Sequence, residues 1–304
     1  MLTNAIDAYL AIRRAAGFEL RVTESLLRNY ARFAAERDEC HVCTRTAIEW
    51  AALAPSPHQR ARRLEAVTIF SRHVQAEDPR HEVPPTGVFD RRRPPYRPFL
   101  YTPDQIRQLL EKAATLGPTG SLRPWTYTTL FSLLAVRGLR ISEAIALCFQ
   151  DLTEHGLVIR ETKFRKSRLV PLHPSTDAAL ARYLEQRTRM GAADEHVFIS
   201  LRGRALGYPT VVATFLSLVR AIGLHPGPGQ RGPRLHDLRH AFAVRALEAC
   251  PHGRAEAARH MLALATYLGH AKLESTYVYL HTTAHLLSHI ADAYEDLLHG
   301  GPRT

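Results

Sequence analysis

Apolar residues in the first 80 positions recur at helical spacing, which predicts short amphipathic helices. We expect Thr23 to cap one of these helices. Its apolar face comprises Leu26, Leu27, Tyr30, Phe33 and Ala34. Ser56 and Pro57 have the cap-then-proline form of another helix start. The apolar face that follows them comprises Leu64, Val67, Phe70 and Val74.

The helical pattern stops near position 82, where proline, glycine and arginine become frequent. A segment of this composition cannot continue a helix and is typical of an extended interdomain linker. Thr102, Pro103 and Gln105 then form a capping-box sequence that opens a new helix. We therefore predict a helical domain over residues 1–81, a linker over 82–99 and a second domain over 100–304.

The second domain mixes helical patterns with short strand patterns. The predicted helices cover about 123–150, with a break at Gly138, and then 209–223, 236–249, 254–268 and 273–298. The predicted strands cover 157–160 and 169–172, joined by a basic turn, with a further short strand over 197–199. The expected fold class is mainly α with a small β-sheet.

The length of 304 residues supports two domains, because one hydrophobic core usually stops growing below that size. The composition, 45% hydrophobic and 23% charged, is that of a globular protein and excludes a disordered chain. No apolar run approaches the roughly 20 residues that a membrane helix needs, and the amino terminus does not resemble a secretory signal. We expect a cytoplasmic prokaryotic protein with no membrane partner.

The chain carries 40 basic and 29 acidic residues, a net charge of +11, which favours a polyanionic partner such as DNA. Only four of the basic residues are lysines. Arginine is the side chain best suited to binding phosphate, so this excess of arginine favours DNA contacts. A GC-rich genome would give the same excess of arginine over lysine. The candidate DNA contacts are Arg60, Arg62, Arg63, Arg91, Arg92, Arg93, Arg165, Lys166 and Arg168. A solvated basic surface is the alternative interpretation.

Neither the cysteines nor the glycines indicate a cofactor. Cys40 and Cys43 have metal-like spacing, but no second cysteine pair follows them, and the four cysteines are too scattered for a disulfide framework. The chain also lacks the glycine-rich string, ending in Lys and Ser or Thr, that cradles nucleotide phosphates. We therefore expect no metal and no other cofactor.

Several residues of the second domain suit metal-free cleavage of a phosphodiester. Such a reaction needs a nucleophile, an acceptor for its proton, cations for the phosphate oxygens and an acid for the leaving oxygen. Arg140 and Arg239 can bind the phosphate oxygens as bidentate forks. His236, one helical turn before Arg239, can accept a proton.

Lys163 is the candidate acid, because a lysine can release a proton at ordinary pH and an arginine cannot. Lys163 and Lys166 are two of the four lysines in the chain and lie in one turn, which argues against a random basic composition. A solvated hairpin tip is the alternative interpretation.

Along residues 100–285 the chain carries an arginine, a lysine, a His-x-x-Arg pair, a histidine and a tyrosine in that order. This order resembles that of the tyrosine recombinase (phage integrase) family. The resemblance implies that the catalytic residues are Arg140, Lys163, His236, Arg239, His270 and Tyr279. It also implies that Glu143 supports the site. His240, next to Arg239, is expected to pack against or polarise the site, with a purely structural role as the alternative. The chain departs from the usual pattern at Arg137, where a small or hydroxyl residue is common, and at Thr162 and Phe164, where glycines are common.

Tyr277 and Tyr279 compete for the role of nucleophile. They lie two positions apart, so on a helix they point to nearly opposite sides and only one can reach the phosphate. Tyr279 is favoured, because it has the family spacing from His270 and is followed by His281 in the pattern Tyr-x-His. Tyr277 is then a packing residue.

The resemblance implies an all-helical core-binding domain and a mixed α/β catalytic domain that close as a clamp around DNA. It also implies DNA breaking and rejoining through a 3′-phosphotyrosyl intermediate, with double-stranded DNA as the substrate. Four copies would assemble on two sites, with or without partner recombinases. An apolar stripe over residues 284–298 could dock on a neighbouring copy or on its own domain. The alternatives are a type IB topoisomerase-like enzyme that relaxes supercoils and a non-catalytic DNA-binding protein of the same fold.

Overall fold

The computed structural model describes residues 2–90, 98–162, 166–226, 232–249 and 254–269. The chain divides into two compact units, Met1–Tyr96 and Arg97–Thr304. Among the described helices, none is both long enough and apolar enough to cross a bilayer. Lys163, Arg165, His270, Tyr277, Tyr279 and Arg91 to Arg93 lie outside the described residues, as does the predicted helix over 273–298.

The first unit packs its helices around one apolar core. These are α1 (Leu2–Ala15), α2 (Arg21–Ala35), α3 (Thr44–Ala52) and α4 (Pro57–Val74). Tyr30 of α2, Trp50 of α3 and Phe70 of α4 are almost wholly buried in that core. The helical character predicted for this part of the chain is therefore confirmed.

The two helix starts predicted in this unit have different outcomes. Ser56 Oγ accepts a hydrogen bond from the backbone N–H of Gln59 at 3.3 Å, which confirms the predicted cap of α4. The prediction for Thr23 is wrong, because α2 already begins at Arg21. Leu20 precedes it in the left-handed conformation, with φ +51° and no side-chain cap. The turn between α1 and α2 therefore sets the start of this helix.

The first residues of the expected linker pack against the first unit. The backbone N–H of Glu82 donates to the carbonyl of Val42 at 2.8 Å, and the hydroxyl of Thr68 donates to the carbonyl of Pro84 at 3.3 Å. Phe89 is half-buried against the same core. The boundaries of the linker and the two domains stay a prediction.

The second unit combines a small antiparallel sheet with helices. The helices are α5 (Pro103–Ala114), α6 (Arg123–Arg137), α7 (Ile141–Ile145), α8 (Pro174–Arg189), α9 (Tyr208–Ala221), α10 (Asp237–Glu248) and α11 (Arg254–Leu268), with a 3-10 turn at Phe149–Asp151. The strands β1 (Leu152–Thr153), β2 (Gly156–Thr162) and β3 (Lys166–Val170) pair in that order. The described chain is mostly helical with a small sheet, which agrees with the predicted fold class.

The hairpin of β2 and β3 is confirmed, with Leu157 opposite Val170 and Ile159 opposite Arg168. Its second strand covers Lys166–Val170 and not the predicted 169–172. The strand expected over 197–199 is wrong. These residues are buried, but they form no strand: Ile199 makes an isolated β-bridge to Ala205, and the preceding His196 makes one to Cys148. An apolar triplet signals burial and does not by itself choose between a strand and an extended loop. Helix α8 was not predicted.

Helix boundaries near the candidate site follow local sequence signals. Thr102 and Gln105 form the predicted capping box at the start of α5, with the side chain of each accepting from the backbone N–H of the other. Helix α6 ends at Gly138, whose φ of +60° favours glycine. A Cβ at this position would lie 2.4 Å from the ring of Phe242 on α10. Gly138 therefore permits both the turn and a close approach of α10.

Candidate active site

Arg140 lies at the start of α7, two residues after the turn at Gly138. Its backbone N–H donates to Glu143 Oε2 at 2.9 Å and its Nη1 donates to Glu143 Oε1 at 2.7 Å. Its Nη2 donates to the carbonyl of Gly269 at 2.9 Å. The side chain stays 28% exposed, so part of it remains in contact with solvent.

Glu143 is a buried carboxylate with four donors. In addition to Arg140, Arg168 of β3 donates from Nη1 to Oε1 at 3.0 Å and from Nη2 to Oε2 at 2.8 Å. Burial alone would raise the pKa of Glu143, but the hydrogen bonds from Arg168 and Arg140 outweigh it and lower the pKa to about 2. Glu143 is therefore ionised at neutral pH and fixes two guanidinium groups.

Arg239 lies on the first turn of α10 and is only 2% exposed. Its Nη1 donates to the carbonyl of Gly138 at 2.5 Å and its Nη2 donates to the carbonyl of Leu268 at 2.6 Å. These contacts hold the guanidinium between the end of α6 and the end of α11. A buried arginine held this way is a positive charge of fixed position.

His236 directly precedes α10 and stands among positive charges. Its ring lies 4.7 Å from that of His240, edge to face. Packing around the imidazole, followed by the charges of Arg239 and Arg140, lowers the pKa of His236 to about 4. The imidazole is therefore neutral at pH 7 and can accept a proton.

The carboxyl end of α11 collects three guanidinium groups on three successive carbonyls. Arg168 Nε donates to Tyr267 at 2.8 Å, Arg239 donates to Leu268 and Arg140 donates to Gly269. The last carbonyls of a helix have no partner within the helix, and the helix dipole adds negative charge there. The end of α11 therefore binds three cationic side chains next to Gly269, the residue before His270.

The backbone conformation at the end of α11 favours a glycine. Gly269 has φ +65°, and a Cβ there would lie 2.9 Å from Arg168 Nη1 and 3.5 Å from Arg140 Nη1. The absence of a side chain lets these two guanidinium groups approach the backbone. The sequence shows this glycine only as the residue before His270, without its contacts.

The structure brings together Arg140, His236 and Arg239 of the six predicted catalytic residues, with Glu143 and His240 beside them. The roles predicted for these residues stay predictions. Lys163, His270 and Tyr279 lie outside the described residues.

The structure places Arg168 differently from the surface position expected of a DNA contact. Its side chain is 11% exposed and it is tied to Glu143 and Tyr267. One sequence signal could have found it. Arg168 lies two residues before the buried Val170, so both project to the same face of β3, and a cation on an inward face requires a buried anion.

The basic residues of α4 are not equivalent. Arg62 is exposed. Arg60 donates to the carbonyl of Ala54 at 2.8 Å and Arg63 donates to the carbonyl of Trp50 at 3.2 Å, and both are half-buried. Arg60 and Arg63 therefore also hold the end of α3. Of Lys166 the structure describes the backbone, which pairs with Thr162.

Comparison with known proteins gives consistent results. The model of the phage integrase family matches residues 100–285. A putative integrase/recombinase, y4rB of Sinorhizobium fredii, is 40% identical over 288 residues, covering 91% of each chain. The tyrosine recombinase XerD of Caulobacter vibrioides is 31% identical, covering 80% of this chain and 76% of its own.

Among solved structures, the Tn1549 transposon integrase in complex with transposon right end DNA has a TM-score of 0.65. It is 18% identical, covering 98% of this chain and 99% of that chain, so it supports the fold. The family model and the sequence relatives cover the segment that carries Arg140, Glu143, His236 and Arg239. This chain belongs to the phage integrase family of tyrosine recombinases.

Proposed function

We propose that this protein cleaves and rejoins duplex DNA at specific sites, with Tyr279 as the nucleophile. The hydroxyl oxygen of Tyr279 attacks a backbone phosphorus, and the bond between phosphorus and the 5′ oxygen breaks. The products are a 3′-phosphotyrosyl link and a free 5′-hydroxyl. Attack by a 5′-hydroxyl on this link reverses the step. One phosphoester replaces another, so rejoining needs no external energy source.

The observation that carries this proposal is the convergence of Arg140, Arg239 and His236 next to the end of α11. Two fixed guanidinium groups can neutralise the non-bridging oxygens of a phosphate in its transition state. A neutral histidine beside them can accept the proton that the tyrosine loses.

Two further groups complete the proposed chemistry. Lys163 protonates the leaving 5′ oxygen, and His270 donates a hydrogen bond to the phosphate. The role of His270 rests on the family pattern, and that of Lys163 also on the ability of a lysine to release a proton. Lys163 directly follows β2 in the chain and β3 begins three residues after it, and Gly269 immediately precedes His270. Both residues are therefore attached to elements that already contact Arg140 or Glu143.

The proposed substrate is double-stranded DNA, which suits a net charge of +11. The exposed Arg62 is a proposed phosphate contact in the first unit. We also propose that four copies assemble on two DNA sites for strand exchange, as the family resemblance implies. The structure of the Tn1549 integrase with transposon end DNA supports DNA as the partner.

The nucleophile can be tested with nicked suicide duplexes made from DNA that flanks the gene. In these substrates the cleaved fragment diffuses away and the covalent protein–DNA adduct accumulates. We expect Tyr279→Phe to abolish the adduct and the matched variant Tyr277→Phe to retain it. The reverse result would assign the nucleophile to Tyr277. If the parent forms no adduct on any fragment, the proposed activity is wrong.

The role of Lys163 can be tested with a duplex whose leaving oxygen is replaced by a bridging sulfur. Sulfur leaves without protonation, so Lys163→Ala is expected to slow cleavage much less on this duplex than on ordinary DNA. Equal slowing on both duplexes contradicts the acid role. Recombinant product from linear DNA with two sites separates this activity from simple relaxation of supercoils.

A further inference from the structure

We propose that Arg168 is a positioning residue that holds Arg140 in place through Glu143, and that it does not bind DNA. This inference rests on the proposed cleavage activity. It changes the role of a residue that the charge pattern alone assigns to the DNA-contacting surface.

The contacts of Arg168 occupy both edges of its guanidinium. Nη1 and Nη2 form a bidentate pair with the two oxygens of Glu143, at 3.0 Å and 2.8 Å. Nε donates to the carbonyl of Tyr267 at 2.8 Å. A bidentate arginine–carboxylate pair fixes orientation as well as distance. Arg168 therefore has one defined geometry in the folded protein.

Burial makes exchange of this pair for a DNA phosphate unfavourable. The side chains of Arg168 and Glu143 are 11% and 7% exposed. If Arg168 turned to a phosphate, Glu143 would keep a buried charge with half of its donors lost, which is strongly unfavourable. Arg62 differs, since it is exposed on α4. The pair with Glu143 therefore persists when DNA binds.

The position of Arg168 in the chain explains what the pair accomplishes. Arg168 lies on β3, five residues after Lys163. Glu143 lies three residues after Arg140 and contacts its backbone and its guanidinium. Tyr267 lies three residues before His270. One side chain thus ties together the three segments on which the proposed phosphate-binding and acid groups stand.

Loss of Arg168 is expected to change the chemical step and not the binding of DNA. Without it, Glu143 keeps only the donors of Arg140, and the carbonyl of Tyr267 loses its contact. Arg140 keeps its contact with the carbonyl of Gly269, but the carboxylate that orients its Nη1 is then held by fewer donors. Small displacements of a group that stabilises charge in the transition state have large effects on rate.

The test compares Arg168→Gln with Arg62→Gln and with Arg182→Gln, an exposed arginine on α8. Each variant is measured for affinity to the suicide duplex over a series of salt concentrations and for single-turnover cleavage at saturating DNA. We expect Arg168→Gln to keep the parent's affinity and salt slope and to cleave at least about tenfold more slowly. Arg182→Gln is expected to match the parent. Arg62→Gln calibrates the loss of one phosphate contact, which reduces the salt slope by about one.

Two further variants separate positioning from a general loss of structure. Arg168→Lys keeps the charge without the fork, and we expect it to recover only part of the cleavage rate. In a Glu143→Gln background, Arg168→Gln is expected to add less than about a threefold further loss, because both residues act through one contact. Thermal unfolding confirms that each variant is folded at the assay temperature. If Arg168→Gln is not folded there, Arg168→Lys alone decides the question.

Reduced affinity and salt slope with a normal rate at saturation would make Arg168 a DNA contact and overturn the proposal. Full activity of Arg168→Lys, or losses that multiply with Glu143→Gln, would overturn it as well. Failure of the parent to form an adduct would instead refute the proposed activity, so the two failures are distinguishable.

Discussion

Replacement of Glu143 by glutamine should remove a pH-dependent contribution to the stability of the second unit. The pKa of this carboxyl is lowered from 4.5 to about 2 in the folded protein, although burial opposes the shift, because Arg168 and Arg140 donate to it. A shift of this size corresponds to about 3 kcal/mol of stability, at about 1.4 kcal/mol per unit. The side chain is 7% exposed, so screening by solvent reduces this value little.

The sign of the effect follows from the direction of the shift. A carboxyl with a lowered folded-state pKa stabilises the protein above its unfolded value of 4.5, and this contribution is lost as pH falls towards 2. About 2 kcal/mol of the 3 should already be lost at about pH 3. Glu143→Gln cannot titrate and lacks this component at every pH.

The assay is urea unfolding of the parent and of Glu143→Gln at several values between about pH 7 and pH 3. The chain has two tryptophans, Trp50 in the first unit and Trp125 in the second. A Trp50→Phe background therefore leaves Trp125 to report on the second unit. Glu185→Gln, an exposed change on α8, controls for the substitution itself.

We expect the free energies of unfolding of the parent and Glu143→Gln to differ by about 3 kcal/mol at neutral pH and by about 1 kcal/mol at about pH 3. A difference that stays constant over this range would refute the reasoning, since the carboxylate would then not be held ionised by the two arginines.

Three further predictions address the turn, the cap and the base. Gly138→Ala should destabilise the protein by about 1–3 kcal/mol in thermal unfolding, and more than Gly120→Ala, since both have positive φ but only Gly138 faces Phe242. A similar loss in both would contradict the steric reason. Thr102→Ala should cost about 1 kcal/mol by removing the cap of α5, and no change would argue against that cap. The acid limb of kcat/KM for cleavage should fall near pH 4, where the free enzyme's His236 becomes protonated; a limb near 6.5 would exclude the shift.

The elements that were predicted correctly are those with a local cause. The caps of α4 and α5, the break at Gly138 and the hairpin of β2 and β3 depend on neighbouring residues, and the chain alone carries that information. The start of α2 and the conformation of residues 197–199 were predicted wrongly, because backbone geometry outside each pattern decides them. For the candidate site, the order of the motifs along the chain identified Arg140, His236 and Arg239 as a group, and this order is also information that the chain alone carries.

The sequence by itself determined the fold class, the family and the residue types that suit phosphate chemistry, because periodicity, caps and motif order are properties of the chain. Only the tertiary structure decided how the arginines are used. Arg168 lies 25 residues from Glu143 and 99 from Tyr267 along the chain, and pairing over such separations depends on how the elements pack. The sequence does not distinguish an arginine that faces DNA from an arginine that pairs with a buried carboxylate. Burial and the partners within hydrogen-bond distance make the difference, since a charge removed from water must be paired.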